Sequence, residues 1–148
     1  MRCLLQRVNH ASVTVGEAKI GAIQHGILVL LGVHCDDTAE TIPKMIEKIV
    51  NLRIFPSGPD HADSMEKSLI DVGGKLLIVS QFTLYADCSK GRRPGFSDAA
   101  PAEKAKQFYD LFVEQCRIKN IPVETGQFQA YMKVSLENDG PVTIVLDS

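Results

Sequence analysis

The sequence has no tryptophan and only 6% aromatic residues, within a 45% hydrophobic, 23% charged composition ordinary for a globular domain. Its cysteines, Cys3, Cys35, Cys88 and Cys116, form no C-x-x-C pair. Such scatter disfavours a zinc centre and a disulfide framework, and predicts four reduced thiols. No apolar run approaches the ~18–20 residues that span a bilayer, and Met1 to Arg7 lacks the apolar centre of a signal peptide. These absences predict a cytoplasmic protein with no membrane contact. A net charge of −2 argues against a broad basic face for nucleic acid, though not against a local basic loop. There is no Walker loop, dinucleotide fingerprint or H-E-x-x-H. The four histidines, His10, His25, His34 and His61, all lie in the first half, and no G-x-S-x-G surrounds Ser80. A Ser-His-Asp hydrolase is not expected. On an extended strand, His34 and Cys35 would face opposite ways, which argues against a thiol–imidazole pair.

What is present begins with Leu76 to Tyr85. It follows a Gly73-Gly74 turn with four aliphatic residues, the mark of a strand buried on both faces. Ser80, Gln81 and Thr83 then place two hydroxyls and an amide at its end. Burying such groups unpaired costs roughly 1–3 kcal/mol each, so either backbone satisfies them or they face a cleft.

The rest of the chain, 148 residues read as a single domain over 1–148, is ordered around that strand. Arg2–Val8 and Ser12–Val15 read as extended, with Gly16 and Gly21 punctuating a hairpin. Ile27–Val33 is a second continuously apolar strand. Asp37 and Glu40 have capping-box spacing. Ile42, Met45, Ile46, Ile49 and Val50 then fall at helical spacing, predicting a helix over 41–51 with Pro43 in its first turn. Leu52–Phe55 reads as a short strand, and 56–60 as a loop. A flexible basic loop over 87–96 carries Lys90, Arg92 and Arg93. Pro101 suits the first position of a second helix, with Ala105, Phe108, Leu111, Phe112 and Cys116 as its buried stripe and Tyr109 on the flank. Met132–Glu137 alternates as a strand, Asn138–Pro141 reads as a turn, and Val142–Leu146 as the last strand. The sum is an α/β fold: a mixed sheet curled toward a barrel, with two helices packed outside. The Gly140-Pro141 step is either a plain hairpin turn or a cis turn that aims two carbonyls at a ligand.

These same segments resemble the D-aminoacyl-tRNA deacylases. The resemblance rests on Val79-Ser80-Gln81-Phe82-Thr83-Leu84-Tyr85-Ala86-Asp87, on Lys90-Gly91-Arg92-Arg93-Pro94, and on Asn138-Asp139-Gly140-Pro141-Val142-Thr143. Gln6-Arg7-Val8, Ala11 to Val15, Leu52 to Phe55 and Gly126-Gln127-Phe128 extend it over essentially the whole chain. Gln129-Ala130-Tyr131-Met132 departs from the Gly-Ala-Asp-Met of many relatives, and Gly95 stands where Ser is common.

The resemblance implies a homodimer of closed mixed β-barrels, with active sites at the subunit interface. Each would hydrolyse the ester of D-aminoacyl-tRNA without a metal or other cofactor. It implies that Ser80, Gln81, Phe82 and Thr83 line the catalytic pocket and that Gly140 and Pro141 enter it from the partner in a cis turn. Arg7 would support that turn, and Phe128 would hold the terminal adenosine. Thr83 is then either a nucleophile or a water-positioning group, with the substrate 2′-OH as the alternative activator. Lys90, Arg92 and Arg93 are candidates for tRNA phosphates. The competing readings are a tRNA-end binding module, a general esterase with Ser80 as nucleophile, and a purely structural dimer.

Overall fold

The computed structural model describes residues Met1–Ser148. Its strands are β1 (Arg2–Val15), β2 (Ala18–Ile23), β3 (Gly26–Gly32), β4 (Lys75–Ser80), β5 (Val123–Thr125) and β6 (Met132–Asp147), with helices α1 (Thr41–Asn51) and α2 (Ala102–Ile118). The sheet runs β2-β1-β3-β4-β5, and β6 pairs with β1 on its other side. β1 is antiparallel to β2, β3 and β6, whereas β3–β4 and β4–β5 are parallel. Parallel neighbours need long crossovers, and α1 and α2 lie in those two connections. β2 and β5 approach without a ladder: a Cβ on Gly21 would stand 2.5 Å from the Thr125 carbonyl oxygen, so glycine there lets the sheet nearly close.

Both continuous apolar runs are buried on two sides. Ile27, Val29, Leu31, Leu76 and Ile78 join Ile42, Ile46, Ile49 and Phe112 beneath the helices. Leu28, Leu77 and Val79 turn the other way, onto Val8, Val13 and Ile23 inside the curled sheet. Alternate residues thus serve two cores, of which the one beneath the helices also holds Phe55, Tyr109 and Phe112.

Several local expectations give way. Arg2–Val15 is a single strand that also takes in Asn9, His10 and Ala11. The Asp37–Glu40 capping box does not form: Glu40 makes no side-chain cap, and Asp37 instead meets the Met1 ammonium and accepts from the His34 N–H at 2.7 Å. Leu52–Phe55 is not a strand. It contributes a single bridge, Phe55 to Lys67, and the Ile54 and Phe55 N–H groups share the Lys67 carbonyl. α2 begins at Ala102, one residue after Pro101. Tyr109 is buried, while Ala105 and Leu111 are only half-buried. No helix is long and apolar enough to cross a membrane.

Candidate active site

The central strand stops at Ser80. Phe82–Tyr85 is a 3₁₀ turn rather than more strand. The Gln81 N–H still bonds the Leu31 carbonyl at 2.8 Å, and the Ala86 N–H returns to Thr83 at 3.1 Å. Arg2 holds the turn from outside, donating Nη1 to the Leu84 carbonyl at 3.0 Å while its Nε pairs with Asp147 at 2.7 Å. The amides of Phe82 and Thr83 stand at the open start of this turn, where a helix leaves its donors without internal acceptors.

Of the three polar residues at the strand end, Ser80 faces a cleft, whereas Gln81 and Thr83 meet each other. Ser80, Phe82, Ala100, Ala105, Phe128 and Gln129 line a cavity of about 700 Å³. Phe128 lies in a turn after β5, its ring 6.0 Å from Tyr109. Tyr109 anchors α2 to β4 by donating its hydroxyl to the Ile78 carbonyl at 2.8 Å, and burial pushes that phenol up to about 12. Sequence reasoning missed this support, because Tyr109 sits at the margin of the apolar stripe. Gln129 has φ +61, left-handed backbone that favours glycine, at the position of the departure noted above.

Thr83 Oγ1 is met by the Gln81 side-chain amide, which carries no basic lone pair on nitrogen. Ser80 pairs with no histidine, so no base within the subunit is placed to withdraw a proton from either hydroxyl. The only thiol–imidazole contact lies elsewhere. The chain has left β3 at Gly32, alternation no longer applies, and Cys35 Sγ comes 3.7 Å from His34 Nδ1. The ligand atoms of His34, Cys35 and Asp36 lie within 4.8 Å of one another, but the Asp36 N–H already donates to His34 Nδ1 at 3.1 Å.

The second signature is not a hairpin turn. β6 pairs with β1 on both sides of it, and the ladder resumes at Gln6–Thr143 after Val8–Asn138. Between those pairs Arg7 alone stands opposite Asp139, Gly140, Pro141 and Val142, so β6 bulges out of the sheet. Arg7 is 3% exposed. Its Nη1 donates to the Ile54 carbonyl at 2.6 Å, and its Nε lies 2.8 Å from Asp139 Oδ2, off the line of a hydrogen bond. Asn138 Nδ2 donates to the Arg7 and Val142 carbonyls at 3.2 and 3.0 Å. Gly140 has φ +119, and a Cβ there would meet Val142 Cγ2 at 2.8 Å and Arg7 Nη2 at 3.1 Å. The Gly140-Pro141 peptide is cis, and both residues are exposed.

The structure therefore brings Ser80, Phe82 and Phe128 to one cavity, pairs Gln81 with Thr83, and joins Arg7 to Gly140. It does not bring Gly140 or Pro141 to the cavity of the same subunit. Lys90, Arg92 and Arg93 are exposed on a loop whose neck is closed by two 2.8 Å bonds between Asp87 and Gly95. The Ser89 N–H donates to Asp87 at 2.9 Å and holds its carboxyl below the ordinary value. Phe96, just past the neck, stands edge-to-face on Phe82 at 4.9 Å.

The nearly closed mixed sheet with two outer helices thus carries its pocket at the end of β4. The same fold appears in the solved structure of the "c-Myc DNA Unwinding Element Binding Protein", with TM-score 0.91, 46% identity, and coverage of 100% of this chain and 99% of that one. It recurs in a "probable eukaryotic D-amino acid tRNA deacylase" at TM-score 0.86 and 19% identity, covering 99% and 98% of the two chains. The chain belongs to the D-Tyr-tRNA(Tyr) deacylase family, whose model matches residues 4–147. A D-aminoacyl-tRNA deacylase of Clostridioides difficile (strain 630) is 57% identical over 148 residues, spanning 100% of this chain and 97% of the relative. One of Thermosipho africanus (strain TCF52B) is 55% identical with the same coverage.

Proposed function

We propose that this protein hydrolyses the ester linking a D-amino acid to the 3′ end of tRNA, releasing free amino acid and tRNA. The observation that carries the reading is the family match, which runs unbroken through both the Ser80–Thr83 segment and the β6 bulge. Gly140 and Pro141 stand exposed on the β6 bulge, which suits a homodimer in which they reach the partner's pocket.

In this reading the terminal adenosine lies against Phe128, in the cavity. The ester carbonyl sits at the end of β4, where the Phe82 and Thr83 amides stabilise the oxyanion as it forms. Water adds to the carbonyl carbon, oriented by the substrate 2′-OH. The tetrahedral intermediate collapses with the ribose 3′ oxygen leaving, and that oxygen takes up the proton lost by the water. An aminoacyl ester is already activated, so positioning supplies much of the acceleration. Gln81 and Thr83 act as a scaffold for the pocket wall and form no acyl-enzyme. The carbonyls of Gly140 and Pro141 capture the substrate amino group and leave no room for an L side chain, a filter that works by exclusion.

The test is deacylation of matched D- and L-aminoacyl-tRNA by purified protein, with a metal chelator in one arm. Cleavage of the D ester alone, unchanged by chelator, is expected. Equal cleavage of both esters, or tight binding without turnover, would overturn the reading.

A further inference from the structure

We propose that Phe96 and Phe82 together form a stacking platform for the unpaired nucleotide that precedes the terminal adenosine. The proposal rests on the deacylase reading above and assigns a second base subsite beside that reading's adenosine pocket.

Three aromatic rings are exposed, and of these Phe82 and Phe96, unlike Tyr131, stack on each other. Phe82 is 55% exposed and Phe96 36% exposed, in a protein with few aromatic residues. Their centroids lie 4.9 Å apart at an interplanar angle of 61°. At that angle one base cannot lie flat on both rings, so one ring supports the other and the supported ring's free face takes the base. Position gives the platform its ligand. Phe82 lines the cavity, and Phe96 directly follows the Asp87–Gly95 neck of the loop carrying Lys90, Arg92 and Arg93. The rings thus stand between the cavity and the loop that carries the three cations.

That combination suits single-stranded nucleic acid. Unpaired bases stack on aromatic side chains while cations follow the phosphates. The 3′ end of a tRNA is unpaired, so it delivers a splayed base next to the terminal adenosine with phosphates on either side. Stacking tolerates any base because every base has a π face. The platform therefore adds affinity and register without reading the tRNA body. The loop neck matters here because its paired 2.8 Å bonds keep Phe96 over Phe82 while the cationic tip engages the backbone.

The test compares wild-type protein with Phe96→Ala and Phe96→Trp on three substrates: D-aminoacyl-tRNA, the same tRNA abasic at the penultimate position, and D-aminoacyl-adenosine. Phe96→Ala is expected to raise KM for the intact tRNA about tenfold at unchanged kcat, and Phe96→Trp to restore it. The abasic tRNA should show the raised KM already with wild-type protein and no further change in Phe96→Ala. D-aminoacyl-adenosine should be cleaved alike by all three proteins, and each should remain in the same oligomeric state.

Equal losses on D-aminoacyl-adenosine would overturn the platform and make Phe96 a support for the pocket through Phe82. A shift of Phe96→Ala toward monomer would overturn it too, because the rings would then be covered by a second copy of the chain. Full activity of wild-type protein on the abasic tRNA would also end it. Failure of wild-type protein on every D ester is a different result, which removes the deacylase reading itself.

Discussion

Arg7 and Asp139 face each other across an interrupted ladder, with Nε 2.8 Å from Oδ2 and the Arg7 guanidinium also bound to the Ile54 carbonyl. One buried side chain thus ties the β6 bulge to the segment after α1. Arg7→Ala should destabilise the fold by about 1–3 kcal/mol, because a carbonyl and a carboxylate lose their partner. It should lower deacylation more than Asp139→Asn does. Arg7→Lys should not rescue, since a single ammonium cannot reproduce the planar fork. Denaturant melts with single-turnover rates check all three. Wild-type turnover in Arg7→Ala would separate the bulge from catalysis.

Exclusion has a consequence for glycine. A filter that rejects L side chains by collision has nothing to reject in a glycyl ester, so glycyl-tRNA should be cleaved while L-alanyl-tRNA resists. Gly140→Ala should lose the filter's geometry: its Cβ would lie 2.8 Å from Val142 and its φ of +119 is unfavourable to alanine. Matched time courses on glycyl-, D-alanyl- and L-alanyl-tRNA decide this. Complete resistance of glycyl-tRNA at high enzyme concentration would require recognition of the side chain instead.

Thr83 meets only an amide, so its hydroxyl is expected to be dispensable for bond breaking. Thr83→Val should retain most activity. Replacing the terminal ribose by 2′-deoxyribose should slow wild-type protein by about 10²–10⁴-fold, the usual scale for a lost general acid–base contribution. Mass spectrometry of a quenched reaction should find no acyl group on Thr83. An acylated Thr83 would reverse the assignment.

Arg92 and Arg93 are exposed, on a loop held at its neck but not along its length. Replacing both by alanine should weaken tRNA binding and reduce the slope of log K against log salt by roughly 1 for each residue removed. Binding isotherms at several salt concentrations measure it. An unchanged slope would make the loop an ordinary solvated surface.

The buried thiols set an alkaline limit. Burial pushes Cys3 and Cys116 up to about 12, against an ordinary 9.0. The folded chain keeps protons that the unfolded chain gives up. This contribution is whole below pH 9.0 and falls as pH rises from there toward 12. Tyr109, raised to about 12 from 10.0, acts in the same direction. Thermal melts on either side of pH 9.0 should show the decline. Alkylation of native protein should label exposed Cys88 and spare Cys3 and Cys116.

The apolar strands were legible because β3 and β4 are continuous runs serving two cores, and α1 because its stripe repeats at helical spacing. β5 was not, since three residues, Val123–Thr125, give no period to read. The bulge was misread as a turn for a different reason. Asn-Asp-Gly-Pro has the same local chemistry in either role, and only β1, more than a hundred residues away, supplies the pairing on both sides. At the central strand the polar residues were found, but the switch to a 3₁₀ turn leaves no mark in Ser80–Tyr85. Phe96 carried no signal at all, because its neighbour Phe82 is fourteen positions earlier and meets it only through the closed loop.

The pairing of Arg2 with Asp147 and of Gln6 with Thr143 fixes when the site can come into being. β1 cannot fill its second edge until β6, more than a hundred residues further along the chain, lies beside it. Contacts so distant in sequence form late and slowly. Arg7 therefore has no carboxylate partner, and the bulge no shape, until β6 has docked along β1.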